Sequence, residues 1–318
     1  MLMKSKILIA SSSFYRFPTK ALDAIAKIKK KYQVIDNPYK RRMDKDELLK
    51  KADGCVGIIA GLEEYDTDLL EKLSNNLGCI SRDGVGMDNI NLKAAEKYGI
   101  TVCNTALAAT DAVAELTVGL VIALLRGLPS LDRDTHHGKW VQTHGNLLSG
   151  KTVGIIGMGN IGKRVAQLLV PFNCHILGND LKPDLKWFKK NHIVSVSKKQ
   201  LFKKSDVVTL HPSYFLRNYH LINAGSFTQM KKGVIFLNLS RGPIVAEGDL
   251  VRAIRSGKIA AAALDVFEKE PYTGPLAEMS NVILTPHIGA STYESRYQMQ
   301  LGAINNLIKY LENEKIRI

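Results

Sequence analysis

At 318 residues the chain is long enough for two domains of ordinary size, each with its own core. A content of 45% hydrophobic and 23% charged residues excludes a disordered chain and fits a soluble globular one. Lys+Arg 44 against Asp+Glu 30 gives a net charge of +14. The basic residues are spread over Lys27, Lys29 to Lys31, Lys40 to Arg42, Lys189-Lys190, Lys203-Lys204 and Lys231-Lys232, without aromatic interleaving or a groove-reading motif. They read as a solvated surface that attracts small anions rather than as a nucleic-acid site.

In chain order, residues 1 to about 103 alternate short apolar runs with helical patterns. The runs are Ile7 to Ala10, Val56 to Ala60, Cys79 to Ser81 and Thr101 to Cys103; the helical patterns are Ala21 to Tyr32, Glu47 to Ala52 and Thr67 to Leu73. This alternation predicts a parallel α/β domain. Lys4 and Lys6 ahead of Ile7 to Ala10 could suggest a signal peptide, but the apolar run is too short and a first strand is the better reading. Asp111 to Arg126 is apolar nearly all round and predicts a buried helix joining two domains. The longest apolar stretch, Val118 to Leu125, falls well short of the roughly twenty residues of a membrane span. A cytoplasmic protein is expected. The widely spaced Cys55, Cys79, Cys103 and Cys174 predict small core residues in a reducing compartment, with no metal site.

The next stretch, Thr152 to Val170, reads as strand, glycine turn and helix, with Gly157, Gly159 and Gly162 in a GxGxxG string. Gly157 permits the sharp turn, Gly159 lets backbone approach a pyrophosphate, and Gly162 permits close helix–strand packing. The unpaired N–H groups at the helix start would face the phosphates. A second strand, His175 to Leu177, leads to Asp180, eighteen positions beyond Gly162, where an acid meets the ribose hydroxyls. Its carboxylate would accept from a 2′-hydroxyl and repel a 2′-phosphate, which favours NAD over NADP.

Strands are then predicted at Val207 to Leu210, Val234 to Asn238, Ile259 to Leu264 and Val282 to Thr285. Helices are predicted at Ser197 to Lys203, Ser226 to Met230 and Gly248 to Ser256. Ser291 and Glu294 read as a capping box that opens a last helix, about Thr292 to Glu312. Just beyond three of these strands stand Arg241, Glu270 and His287, where an α/β sheet places its active groups. A second glycine loop, Arg82 to Asp88, offers backbone N–H groups that could hold a small anion.

These motifs, SRDGVGMDNI, the VAEL of Val113 to Leu116, the glycine turn, NLSRG, ALDVFEKEP and TPHIG, resemble in order and spacing the D-isomer-specific 2-hydroxyacid dehydrogenases. Within that family they resemble the branch of phosphoglycerate dehydrogenases and hydroxypyruvate or glyoxylate reductases. The resemblance implies two Rossmann-like, doubly wound parallel-sheet domains, one flavodoxin-like and one NAD-binding. The substrate domain would be discontinuous, made of residues 1–104 and 287–318, with the NAD-binding domain at 105–286. A homodimer is implied, with Asp111 to Leu148 wrapping the partner.

Carried over by position, Arg241 would clamp the substrate carboxylate and polarise its carbonyl. His287 would be the acid–base, and Glu270 would orient the ring and favour its charged form. The backbone at Val85 and Gly86 would receive the carboxylate. Cofactor contacts would come from Gly157, Gly159, Asn160, Ile161, Gly162, Asp180, His211 and Asp265, the last near the nicotinamide amide. Asn104 lies where the chain crosses into the cofactor domain. Ala60-Gly61-Leu62 and Val141-Gln142-Thr143 lack the cations of phosphoglycerate-specific members, and Lys40, Arg41 and Arg42 could replace them only if that loop reaches the site. Glu270, in place of the glutamine of formate dehydrogenases, argues against formate. Asp83 must point away from a carboxylate pocket. The expected activity is hydride transfer between nicotinamide and a small D-2-hydroxy acid or its 2-oxo acid, with hydroxypyruvate or glyoxylate ahead of 3-phosphoglycerate. The rival from another class is an NAD-sensing corepressor-like binding protein, for which the sequence offers no recruitment tail.

Overall fold

The structure, a computed structural model, describes residues 5–14 and 21–312. Lys4 of the amino-terminal reading and residues 313–318 of the expected returning segment lie outside the described residues. The chain divides into two compact units: Met1–Ala109 with Ser291–Ile318, and Thr110–Ala290. His287 therefore groups with the second unit.

In the first unit, β1 (Lys6–Ile9), α1 (Ala21–Lys31), β2 (Gln33–Asp36), α2 (Lys45–Ala52), β3 (Cys55–Ala60), α3 (Thr67–Leu73), β4 (Cys79–Arg82), α4 (Leu92–Lys97) and β5 (Thr101–Cys103) follow one another. The strands pair in parallel in the order β2-β1-β3-β4-β5, a flavodoxin-like winding. Asp44 and Glu47 form the capping box that starts α2, and Asp66 caps α3 through the Leu69 N–H. One face of the sheet buries Leu8, Ile58, Leu69 and Ile80; the other buries Ile7, Ile9, Ile59, Cys79 and Cys103. This alternation follows from the two-residue period of a strand.

The second unit runs α5 (Thr110–Leu125), α6 (Leu128–His136), β6 (Thr152–Ile156), α7 (Asn160–Leu169), β7 (His175–Asn179), α8 (Leu185–Lys190), β8 (Val194–Ser195), α9 (Lys198–Lys204), β9 (Val207–Leu210), α10 (Ala224–Gln229), β10 (Val234–Asn238), α11 (Glu247–Arg255), β11 (Ile259–Leu264) and β12 (Val282–Leu284). Its seven parallel strands lie in the order β12-β11-β10-β9-β6-β7-β8. This is the Rossmann order with one added edge strand, and it reverses direction between β6 and β9. Almost fully apolar α5 buries Val113, Thr117, Leu120 and Val121 and packs on α7.

The last helix, α12 (Tyr293–Leu311), returns to the first unit, where Ala303, Ile304 and Leu307 complete one of its cores. Its cap differs from the sequence reading. Thr292, not Ser291, is the N-cap, and its hydroxyl accepts from the Ser295 N–H at 3.1 Å. A threonine one residue later offers the same oxygen, so the Ser-x-x-Glu spacing alone does not fix the register. Among the described residues no single helix is long and apolar enough to cross a membrane. Cys55, Cys79 and Cys103 are buried, Cys174 keeps part of its surface, and all four are free thiols.

Candidate active site

The carboxyl end of the second sheet is shaped by its glycines. Gly157 leaves β6 with φ +88°, and a Cβ there would stand 2.3 Å from the Pro212 nitrogen, so the turns after β6 and β9 meet backbone to backbone at the switch point. A Cβ on Gly162 would lie 2.0 Å from the Gly157 carbonyl oxygen, so only glycine lets α7 start this close to the turn. Gly159 differs from both, since no protein atom lies within 4 Å of the Cβ it lacks. Two glycines are therefore required by the protein itself, and the third leaves open space at the start of a helix. That is the fit a pyrophosphate needs.

Asp180 follows β7 and braces this turn. Its Oδ2 accepts from the Met158 N–H at 2.7 Å and its Oδ1 from the Lys182 N–H at 2.9 Å. Asn160 and Ile161 open α7. His211, at the end of β9, keeps some surface, but its Nδ1 is enclosed and faces no protein partner among the described residues, while its Nε2 lies 3.0 Å from the Thr209 hydroxyl. Burial drives its pKa down to about 3, so the ring is neutral near pH 7.

The candidate catalytic residues come from loops after neighbouring strands β10, β11 and β12. His287 Nδ1 and Glu270 Oε2 are 3.0 Å apart, and Glu270 Oε1 accepts from the Phe267 N–H at 3.1 Å. The glutamate is thus held by its own loop while it orients the imidazole. His287 adopts φ +54°, a left-handed conformation unusual for a residue with a side chain. Asp265 stabilises that loop from inside the unit. Its Oδ1 accepts from the Thr285 hydroxyl at 2.6 Å and the Ile288 N–H at 2.8 Å, and its Oδ2 from the Gly289 N–H at 2.7 Å.

Arg241 follows β10; its Nη1 donates to the Ser240 carbonyl at 2.8 Å, and its own carbonyl accepts from Asn238 Nδ2 at 3.0 Å. The next residue, Gly242, has no room for a side chain, because a Cβ would fall 1.9 Å from the Phe267 carbonyl carbon. The arginine turn and the glutamate loop are consequently packed on each other.

Sequence reasoning missed the residues that join these two loops. The Glu268 N–H donates to Glu247 Oε1 at 2.6 Å, and the Glu247 N–H donates back to Glu268 Oε1 at 3.1 Å. His220 Nε2 lies 3.1 Å from the same Glu268 oxygen. Burial, with the carboxylates of Glu268 and Glu270 nearby, holds Glu247 above the usual carboxylate range. The one signal in the sequence is the alternating pair of acids in Glu268-Lys269-Glu270, which places two carboxylates on one short loop.

In the first unit the glycine loop after β4 is also held from behind. Arg82 folds back to donate through Nη1 to the Asp83 carbonyl, Asn104 Nδ2 donates to the Val85 carbonyl at 2.8 Å, and the Thr105 hydroxyl accepts from the Gly84 N–H at 3.1 Å. Among the described residues the N–H groups of Val85 and Gly86 donate to no protein acceptor. Asp83 is buried and accepts from the Ser11 hydroxyl at 2.8 Å; burial raises its pKa. The acid beside the loop therefore points into the unit.

A family model described as D-isomer specific 2-hydroxyacid dehydrogenase, NAD binding domain, matches residues 118–289. A Staphylococcus aureus (strain N315) protein described as a candidate 2-hydroxyacid dehydrogenase is 38% identical over 282 residues, 86% of this chain and 88% of its own. A glyoxylate reductase from Paecilomyes thermophila superposes with a TM-score of 0.89 at 29% identity, covering 99% of this chain and 98% of that one. D-lactate dehydrogenase from Aquifex aeolicus, solved with NAD and lactic acid, gives 0.85 at 25% identity, covering 97% and 96%. The chain belongs to the D-isomer-specific 2-hydroxyacid dehydrogenases, oxidoreductases that act on CH–OH donors with a nicotinamide cofactor.

Proposed function

We propose that this member reduces a small 2-oxo acid, hydroxypyruvate or glyoxylate, to the D-2-hydroxy acid with NADH. The observation that carries this reading is the Glu270–His287 pair at 3.0 Å. With Nδ1 held by a carboxylate, Nε2 is the nitrogen left to give a proton to the forming alkoxide or to take one from the hydroxyl. The nicotinamide, when bound, supplies or accepts the hydride. Arg241 would fork onto the substrate carboxylate and polarise the carbonyl. The backbone N–H groups of Val85 and Gly86 would hold a carboxylate in the first unit.

Gly157, Gly159, Asn160, Ile161 and Gly162 would hold the pyrophosphate, and Asp180 the ribose hydroxyls, so that NAD is preferred to NADP. Asp265 would act on chemistry through the histidine loop it stabilises, and His211 would line the cofactor's approach as a neutral ring.

Two observations support an unphosphorylated substrate. Arg41 forks onto Glu47 at 2.8 and 2.7 Å and lies over the Tyr39 ring, and Arg42 stands 4.0 Å from Glu64, so both arginines of the basic loop face acids of their own unit. A homodimer is part of the same reading, supported by Leu128, Trp140, Val141 and Leu147, which leave large apolar surfaces exposed within the segment expected to wrap a partner. The test is a turnover assay with NADH and NADPH over glyoxylate, hydroxypyruvate, 3-phosphohydroxypyruvate and longer 2-oxo acids. An unphosphorylated acid reduced with NADH at a kcat/KM about tenfold above the phosphorylated one supports the reading. The reverse order, a preference for NADPH, or no turnover of any acid overturns it.

A further inference from the structure

Half of the chain's net positive charge falls at one edge of the second unit. Residues 181–204 contain eight lysines against one aspartate, a net +7 that is half of the chain's +14. They form α8, β8 and α9 beside β7, whose carboxyl end carries Asp180. The aspartate, Asp184, is engaged with Lys163 of α7 at 2.8 Å. All eight lysines are exposed, and none makes an ion pair among the described residues. The edge is therefore an unneutralised cationic surface.

Strand direction sorts the eight into two groups. β7 and β8 run parallel, so α8 starts at the carboxyl end of the sheet and finishes at the amino end, and α9 does the same. Lys189, Lys190, Lys203 and Lys204 occupy the last turns of these helices, where cations complement the helix dipole. Lys186, Lys198 and Lys199 stand in first turns, where a cation opposes that dipole, and Lys182 follows Asp180 directly. Helix stability explains the far group and disfavours the near one. The near group stands at the end of the sheet where the glycine turn and Asp180 are found.

We propose that Lys182, Lys186, Lys198 and Lys199 form an electrostatic capture surface for the anionic dinucleotide, raising its association rate without serving as ligands in the bound state. The proposal rests on the dinucleotide-site reading of the glycine turn. A cluster of like charge at the rim of a site raises the local concentration of a counter-charged ligand and its on-rate, with steep dependence on ionic strength. Long flexible lysines suit this task, because steering needs charge near the path rather than fixed geometry. The small anionic substrate would respond less, since it carries less charge than the dinucleotide.

The test is stopped-flow binding of NADH to the whole protein at low ionic strength, with a Debye length of about 30 Å, and at high ionic strength, with one of about 3 Å. Lys182→Gln, Lys186→Gln, Lys198→Gln and Lys199→Gln are combined in one variant. Lys189→Gln, Lys190→Gln, Lys203→Gln and Lys204→Gln are combined in a second that loses the same charge. The first should associate about tenfold more slowly than wild type at low salt, with dissociation and kcat unchanged and the difference gone at high salt. The second should associate at close to the wild-type rate. Equal slowing in both variants would assign the effect to net charge, and faster dissociation in the first would make these lysines direct ligands; either result, or a salt-independent wild-type rate, overturns the proposal. Failure of the wild type to bind NADH at any salt concentration would instead remove the dinucleotide site, and the capture surface with it.

Discussion

His287 combines two demands that oppose each other. Its left-handed backbone, φ +54°, is disfavoured by roughly 1–2 kcal/mol for a residue with a Cβ, and Asp265 offsets this with three hydrogen bonds to the same loop. His287→Ala keeps that conformation and removes the ring, so kcat should fall by about 10²–10⁴ with NADH affinity retained, measured by turnover and by fluorescence titration. His287→Gly should lose as much activity yet unfold at or above the wild-type midpoint, because glycine adopts the turn without strain. His211 gives a pH prediction. Its folded pKa of about 3 lies below the ordinary 6.5, so the unfolded chain binds a proton that the folded one refuses. The resulting loss of stability begins as pH falls below about 6.5, grows by up to ~1.4 kcal/mol per pH unit, and ends near pH 3. Urea unfolding of His211→Gln across this window should show a shallower decline than wild type.

At the scale of elements, the paired substitutions Gly162→Ala and Gly159→Ala separate folding from binding. The first places a methyl 2.0 Å from the Gly157 carbonyl oxygen and should lower stability by about 1–3 kcal/mol as α7 shifts. The second meets no protein atom, so the melting temperature should hold while NADH binding weakens, as calorimetry of both variants would show. These elements were legible in the sequence because their signals are local. The central strands β6, β9, β10 and β11 are continuous apolar runs, and the glycine turn announces the helix after it. Short α4 and α8 were missed because neither shows a helical period over its six residues. Two-residue β8 was missed because its side chains are exposed. Arg241, Glu270 and His287 were legible as polar residues following predicted strands. The Glu247–Glu268 clasp was not, since its two members lie 21 positions apart and are joined through backbone N–H groups that any sequence possesses.

For the whole molecule, the exposed apolar side chains of residues 128–147 bear on assembly. Trp140 is 83% exposed and Leu147 74%, more than a solitary chain gains from leaving large apolar groups in water. Sedimentation should find a dimer at micromolar concentration, and Trp140→Glu should shift it toward monomer; a wild type that sediments as a monomer would refute this. The returning helix α12 has a different consequence, for the order in which the chain is built. Ile7, Ile9 and Ile59 are made before the stretch Thr110–Ala290, but Ile304 and Leu307, which close the same core, are made after it. Each of these two fully buried side chains stabilises by about 1.5–3 kcal/mol. Thr110–Ala290 is one uninterrupted stretch with its own core, so it can finish folding on the ribosome while the first unit waits. A fragment of residues 110–290 should therefore fold and bind NADH alone, and a chain ending at residue 291 should contain a folded second unit beside a collapsed, protease-sensitive first. The first unit is completed only after the second has been made, and until then its half-covered sheet leaves apolar surface for a chaperone to cover.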